Sequence, residues 1–415
     1  MTLYFNKGII YPFPMRYNVG KENLYSRGVR VLETAKLYYE NSYQRTFRAK
    51  VLSCEKTKSG WQIVLNRTAF YPEGGGQPGD QGVLDRVNVL DTHIKDGLIL
   101  HQTDAPLPVG KQVTGGINWP LRRSRMQEHT GEHILSGVLH RFFGVTNVGF
   151  HMGSTCVTLD LDKPLDESQI LLGERLANEA VYQDLPVQIS YPDAETLKTL
   201  DYRSKKELTG RVRIVTIPGY DVCACCGTHV AHTGEVGMVK VLNWMHYKGG
   251  VRIFMLCGSR ALKDYSGRLA DISAVSNLLS AKPEKAAEAV QHVLEEKDTL
   301  QRRLDSVQNE LFTVKANEAT PGENGLLCCF EDGLRPDDLR HYASLLASKC
   351  PRAAAVFSGK DGRYRFVLAS EKEDVRPLGK EMSAALNGRG GGKPNFIQGQ
   401  VQASCTKIEN WFAQK

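Results

Sequence analysis

Between residues 43 and 117 the chain sets short runs of apolar and polar positions between turn residues. RTFRAKVLSC, WQIVLN, GVLDRVNVLDTHI and LILHQT each read as a strand, and their close spacing predicts a small β-barrel or sheet. The run YPEGGGQPGDQG at 71–82 interrupts this pattern. Its glycines and prolines exclude a regular helix or strand and impose a specific loop. RRSRMQEHTGEHILSGVLHRFFG follows with helical spacing at Met126, His129, His133 and the apolar run to Leu139, and Gly144 is placed to end it. Alternation at 155–161 predicts a strand, 166–183 a helix, and VQISYP another strand. The segment EVGMVKVLNWMHYKGGVRIFMLCG predicts a hairpin turning at Lys248, Gly249 and Gly250.

The longest helical pattern spans 284–316. Val290, Val293, Leu300, Leu304, Val307, Leu311 and Val314 form an apolar seam in steps of three and four, with Lys297 as its polar break. Pro321 and Gly322 end it. Beyond them LLCCF, AAAVFSGK and YRFVLAS read as strands of a small α/β domain, with a helix at 336–348 and a glycine loop, NGRGGGKPNFIQGQV, near the end. The fold class is α+β, and no internal repeat is visible. Residues 1–35 show no clean periodicity and are expected to be an extension.

Composition narrows the classes. A chain of 415 residues can bury a full core without staples, and 41% hydrophobic with 24% charged residues excludes a disordered or fibrous protein. No run approaches 18 apolar residues and the first twenty lack a signal-peptide core, so the expected location is cytoplasmic, with no membrane partner. A net charge of +7 is compatible with a polyanionic partner. Three of the ten cysteines cluster at 223, 225 and 226, which in such a chain points to metal ligands or buried thiols rather than a disulfide framework.

The candidate chemistry starts from His129 and His133. Four residues apart on a helix, they share one face as zinc binding requires. CACCGTHVAH adds a second pair at the same spacing, Cys225 and His229, completing a His₃Cys set suited to zinc. Spacing alone does not choose among Cys223, Cys225 and Cys226, and His232 competes with His229. A rival reading takes His129–His133 as the H-x-x-E-H pattern of zinc peptidases, with Glu132 as general base and Glu207 as a further ligand. It leaves the Cys225/His229 pair and the glycine loop without a role.

YPEGGGQPGDQG, HTGEH and CCGTHV, in that order, resemble the editing domain of alanyl-tRNA synthetase. They resemble still more its free-standing relatives, the long-form alanyl-tRNA editing proteins of AlaX type. The likeness runs from about residue 36 to 269. The helical arm and GRGGGKPNFIQGQV resemble the synthetase's C-terminal DHH-associated region. The resemblance divides the chain into an extension (1–35, a start codon assigned too far upstream being one explanation), a β-barrel domain with the glycine loop (36–118), a zinc-binding editing domain (119–269), a helical arm (270–319) and a C-terminal α/β domain (320–415).

That likeness selects Cys225 and His229, with His129 and His133, as ligands of one zinc ion. It implies hydrolysis of the aminoacyl ester on tRNA(Ala) mischarged with serine and, as a second substrate, glycine. A second hydrolytic site is useful where binding alone cannot reject near-isosteres. Gln77 and Glu132 are the expected catalytic residues. Gly74, Gly75 and Gly76 are expected to let backbone N–H groups approach the substrate, while Arg122, Arg123, Arg125, Arg389 and Lys393 are expected to meet tRNA. The heptad helix or the C-terminal domain is a candidate homodimer surface. The alternatives are the peptidase and a non-catalytic tRNA-binding zinc protein.

Overall fold

The computed structural model describes residues 34–204 and 211–415. The chain forms two compact units, one ending at Ala270 and one spanning Asp271–Lys415, and the division falls within the helix Gly258–Leu278. The class is mixed α+β. No helix among the described residues is long and apolar enough to cross a membrane.

In the first unit, six strands pair around in a closed ring. The order is Thr46–Thr57, Gly60–Leu65, Leu98–Thr103, Val87–Lys95, Gly82–Leu84 and Gln112–Ile117, whose last member returns to the first. Alternation does the work: Phe47, Ala49 and Val51 point inward from one strand and meet Ile63, Leu65, Leu84, Val89 and Val113 around Phe70. The segment GVLDRVNVLDTHI is two strands rather than one. Asp85 adopts a positive φ of 54° and turns the chain between Leu84 and Val87.

The helix Trp119–Phe143 follows the ring directly. Asn118 caps it by accepting from Leu121 N at 3.3 Å, Pro120 occupies its first turn, and Gly144 closes it with φ +62°. Its stretch from Met126 to Leu139 is wholly buried. On it lie the helix Glu167–Tyr182, held by an Asp166 capping box, and a four-stranded antiparallel sheet of Val239–Tyr247, Gly250–Cys257, Val157–Leu161 and Asn147–Met152. The hairpin in that sheet turns at Lys248 and Gly249, both at positive φ. A smaller sheet, Gln188–Ser190, Ile214–Ile217 and Asp221–Ala224, ends where the cysteine-rich loop begins.

The second unit holds the helix Ala286–Glu318 and a five-stranded sheet ordered Leu326–Phe330, Ala353–Lys360, Arg363–Ala369, Phe396–Val401 and Arg389–Lys393. Helices Pro336–Ala347, Val375–Ala385 and Cys405–Ala413 accompany it. The glycine stretch expected as a loop is instead an antiparallel strand pair, Arg389–Lys393 against Phe396–Val401. The unbroken ladder explains this: glycines at 390, 391, 392 and 399 allow close backbone approach, so a Cβ at Gly390 would sit 2.6 Å from Gln398 O. The long helix is anchored by its C-terminal turns, where Phe312 stacks on Tyr342 at 4.6 Å. Val293, Leu300, Leu304 and Val307 along its seam are about half exposed.

Candidate metal centre

The central helix contributes His129 and His133, and the loop after strand Asp221–Ala224 contributes Cys225 and His229. One donor atom from each lies within 4.8 Å of every other. Cys225 Sγ stands 3.4 Å from both His129 Nε2 and His229 Nε2. The approach needs glycine at 227, where a Cβ would lie 2.0 Å from the His129 ring.

The outer nitrogens show why the rings converge. His129 Nδ1 bonds Gln77 Oε1 at 2.8 Å, His133 Nδ1 bonds Asp221 Oδ2 at 2.8 Å, and His229 Nδ1 bonds Thr130 Oγ1 at 3.1 Å. With every Nδ1 engaged, each Nε2 is left facing the thiol, as in histidines held ready for a cation. Burial would push the Cys225 thiol up, but His129, His133 and His229 hold it well below the ordinary thiol range. Burial and the neighbouring His129 push His229 down to about 3. Burial opposes charge on His133 as well, yet Cys225, Cys223 and Asp221 raise it well above the usual imidazole value. Three imidazoles and one thiolate-prone sulfur make a donor set that fits a borderline-soft divalent ion.

The residues around this group divide sharply. His232 lies outside it, exposed and near the Asp184 carbonyl. Cys226 is exposed, whereas Cys223 is buried near His133 and Asp221. His151 is exposed on its strand. Gln77, expected to face substrate, is wholly buried: its Oε1 also accepts Thr228 N at 3.1 Å, and its Nε2 donates to Thr228 Oγ1 at 2.8 Å. It is placed as a positioning residue for His129. Glu132, the other expected catalytic residue, is buried and accepts from Asn147 Nδ2 at 2.5 Å, and it is not among the four donors. Glu207 lies outside the described residues.

The glycine loop is pinned by paired bonds between Gly74 and Gln77 and by Met152 N donating to Gly76 O at 2.9 Å. Gly75 and Gly76 take φ of +60° and +84°, and a Cβ at Gly76 would meet Phe150 O at 2.4 Å, so the tight path onto the sheet needs glycine there.

The three arginines on the helix differ. Arg122 corrects the expectation of tRNA contact: it is fully buried, paired with Asp80, and donates to Ser42 O at 2.9 Å and to Ala69 O at 2.5 Å. Arg125 is mostly covered and donates to Gly79 O at 2.7 Å, while Arg123 is exposed. In the second unit, Arg389 and Lys393 are exposed at the ends of the edge strand. Arg389 lines a groove of about 710 Å³ with Arg363 and Arg365.

Sequence reasoning missed Asp221, Thr130, Arg203 and Arg213. Arg203 donates to Asp221 at 2.7 Å and to Ser136 Oγ at 2.9 Å. No spacing rule connects these residues to the histidines. The one available signal is the short distance in sequence from Asp221 to the cysteine loop.

Comparison with known proteins bears on the whole chain. Three family descriptions match: the threonyl and alanyl tRNA synthetase second additional domain at 212–254, class II (A) tRNA synthetases at 25–121, and the DHHA1 domain at 323–410. The alanyl-tRNA editing protein AlaX-L of Pyrococcus horikoshii is 30% identical over 392 residues, covering 90% of this chain and 96% of that protein. The alanyl-tRNA editing protein Aarsd1 of Rattus norvegicus is 27% identical, covering 90% and 95%. The alanine–tRNA ligase of Pyrococcus abyssi is 32% identical, covering 89% of this chain but 42% of the ligase. With its near full-length match at that identity, the chain belongs to the AlaX-L family of alanyl-tRNA editing proteins.

Proposed function

We propose that this protein is a trans-acting aminoacyl-tRNA deacylase that removes serine, and secondarily glycine, from mischarged tRNA(Ala). The observation that carries the reading is the convergence of His129, His133, Cys225 and His229 with every outer imidazole nitrogen engaged. Its support comes from membership of a family whose relatives are named alanyl-tRNA editing proteins. Zinc is the ion we assign to the four donors. When bound, it would supply Lewis-acid character or an oriented water at the ester.

The chain's own groups do the rest. Gln77 fixes the His129 ring, Asp221 fixes His133, and the Gly74–Gly76 turn presents backbone close to the centre. Serine would be told from alanine by a hydrogen bond to its hydroxyl. Arg123, Arg389 and Lys393 remain candidate tRNA contacts, and the half-exposed seam of the long helix a candidate homodimer surface. The peptidase alternative loses ground because Cys225 and His229, to which it gives no role, converge with His129 and His133.

The test is deacylation of Ser-, Gly- and Ala-tRNA(Ala) by wild type and His133→Ala side by side. Loss of serine with alanine spared, abolished in the variant, is the expected result. No hydrolysis of any of the three overturns the proposal.

A further inference from the structure

Arg213 immediately precedes the strand Ile214–Ile217, whose partner leads into the cysteine loop, and it engages both backbone groups of Cys225. Its carbonyl accepts Cys225 N at 3.1 Å, and its guanidinium donates to Cys225 O at 2.7 Å. The side chain is almost fully enclosed, with 5% of the residue exposed. Arg122 and Arg203, the other arginines packed in this region, each carry an aspartate. Among the described residues Arg213 has no carboxylate within 4.0 Å and its Nε has no hydrogen-bond partner. A guanidinium taken out of water without a countercharge is costly, so the position is built for an anion that arrives from outside.

The surroundings indicate which anion. The guanidinium carbon lies 5.4 Å from the Tyr39 ring centroid, and Tyr39 is only half-buried. Tyr39 meets Tyr38 edge-on at 4.6 Å, and Tyr38 meets Tyr71 at 5.5 Å. The Tyr71 hydroxyl donates to Gly74 O at 3.0 Å. An aromatic wall therefore runs from Arg213 to the glycine loop that holds His129. An aminoacyl ester has no free carboxylate. The nearest negative charge in a charged RNA end is the last phosphodiester, one ribose away from the ester.

We propose that Arg213 receives a non-bridging oxygen of the last phosphodiester at the tRNA 3′ end, with Tyr39 as the surface on which the terminal base rests. This rests on the deacylase reading above. Arginine suits the task because its fork serves the Cys225 carbonyl and a phosphate oxygen together, and stacking on an aromatic ring tolerates any base.

The experiment is a binding cycle with an acceptor-arm minihelix of tRNA(Ala) bearing a non-hydrolysable seryl amide. The last linkage is either an ordinary phosphodiester or a neutral methylphosphonate. Methylphosphonate is expected to weaken wild type about tenfold and to leave Arg213→Gln, already about tenfold weaker, unaffected, the size of one charge-assisted hydrogen bond. Arg213→Lys keeps the charge and is expected to retain a several-fold sensitivity, which reads the same cycle should the glutamine variant not fold. Metal content of each variant separates phosphate binding from the hold on Cys225. Equal losses in wild type and Arg213→Gln would overturn the assignment while leaving the deacylase reading intact. Failure of wild type to bind the unmodified minihelix would overturn both.

Discussion

Asp221 binds His133 through one carboxylate oxygen at 2.8 Å and Arg203 through the other at 2.7 Å. His133 is thus the imidazole of the three whose outer nitrogen meets a charge, since Gln77 and Thr130 serve the others with neutral groups. A charged partner makes the ring a stronger donor and fixes its tautomer. Room for it comes from Gly137 on the helix, where a Cβ would fall 2.7 Å from the Asp221 Cβ.

Replacing Asp221 by Asn should therefore loosen the proposed metal more than it disturbs the fold. We expect an apparent zinc affinity about 10- to 100-fold lower, read by competition with a chromophoric chelator. Circular dichroism of the metal-free chain should stay near wild type. Unchanged affinity would show that the carboxylate serves packing alone.

The glycine loop predicts a contrast between neighbours. Gly76→Ala forces a Cβ against the Phe150 carbonyl and should cut deacylation about 100-fold through displacement of Gln77 and His129. Gly75→Ala faces open space and carries only the penalty of a left-handed residue, about 1–2 kcal/mol of stability, with little effect on rate. Equal rates for the two variants would sink this account of the loop.

Arg122 and Arg123 should part company in the same way. Arg122→Ala leaves the buried Asp80 carboxylate with Arg125, 3.7 Å away, as its remaining countercharge and is expected to destabilise the first unit by about 3 kcal/mol. Arg123→Ala should leave the melting temperature unchanged. If Arg123 meets tRNA as proposed, its loss lowers the salt slope of binding by about one.

A pH dependence follows from His101, which is fully buried between Thr68 Oγ1 at 2.8 Å and Ile63 O at 2.9 Å. Burial drives its pKa down to about 4. The folded ring binds a proton less readily than the unfolded one, so its contribution is present above about pH 6.5 and is lost as pH falls through 4. At about 1.4 kcal/mol per unit of pKa, the loss is of order 3 kcal/mol. Denaturant titrations at pH 7 and pH 4.5 should show this acid sensitivity in wild type and a flatter profile in His101→Gln.

Much of the centre was legible because helical period is a strong signal. His129 and His133 had to share a face once the segment was a helix. The same period placed Arg122 with Met126, His129 and His133 on one stripe, yet the run RRSR read as a tRNA contact. Steps of four, three and four would have put Arg122 inside. Between Cys223, Cys225 and Cys226 spacing was mute, because the choice depends on where strand Asp221–Ala224 ends and the loop turns toward the helix. Thr130, Asp221 and Arg203 act through tertiary docking, which leaves no mark in local sequence. The glycine-rich stretch at 387–401 misled for the opposite reason: local propensity argued for a loop, and sheet pairing overrode it.

Cys225 and His129 stand 96 positions apart in the chain but 3.4 Å apart in space. An ion held between them would be a removable clasp across a long loop, stabilising the fold because it binds the folded chain and not the unfolded one. The supply of metal would then govern more than turnover. In a zinc-starved cell the helix and the cysteine loop would part more often, and the lifetime of the protein against proteases would fall together with its activity.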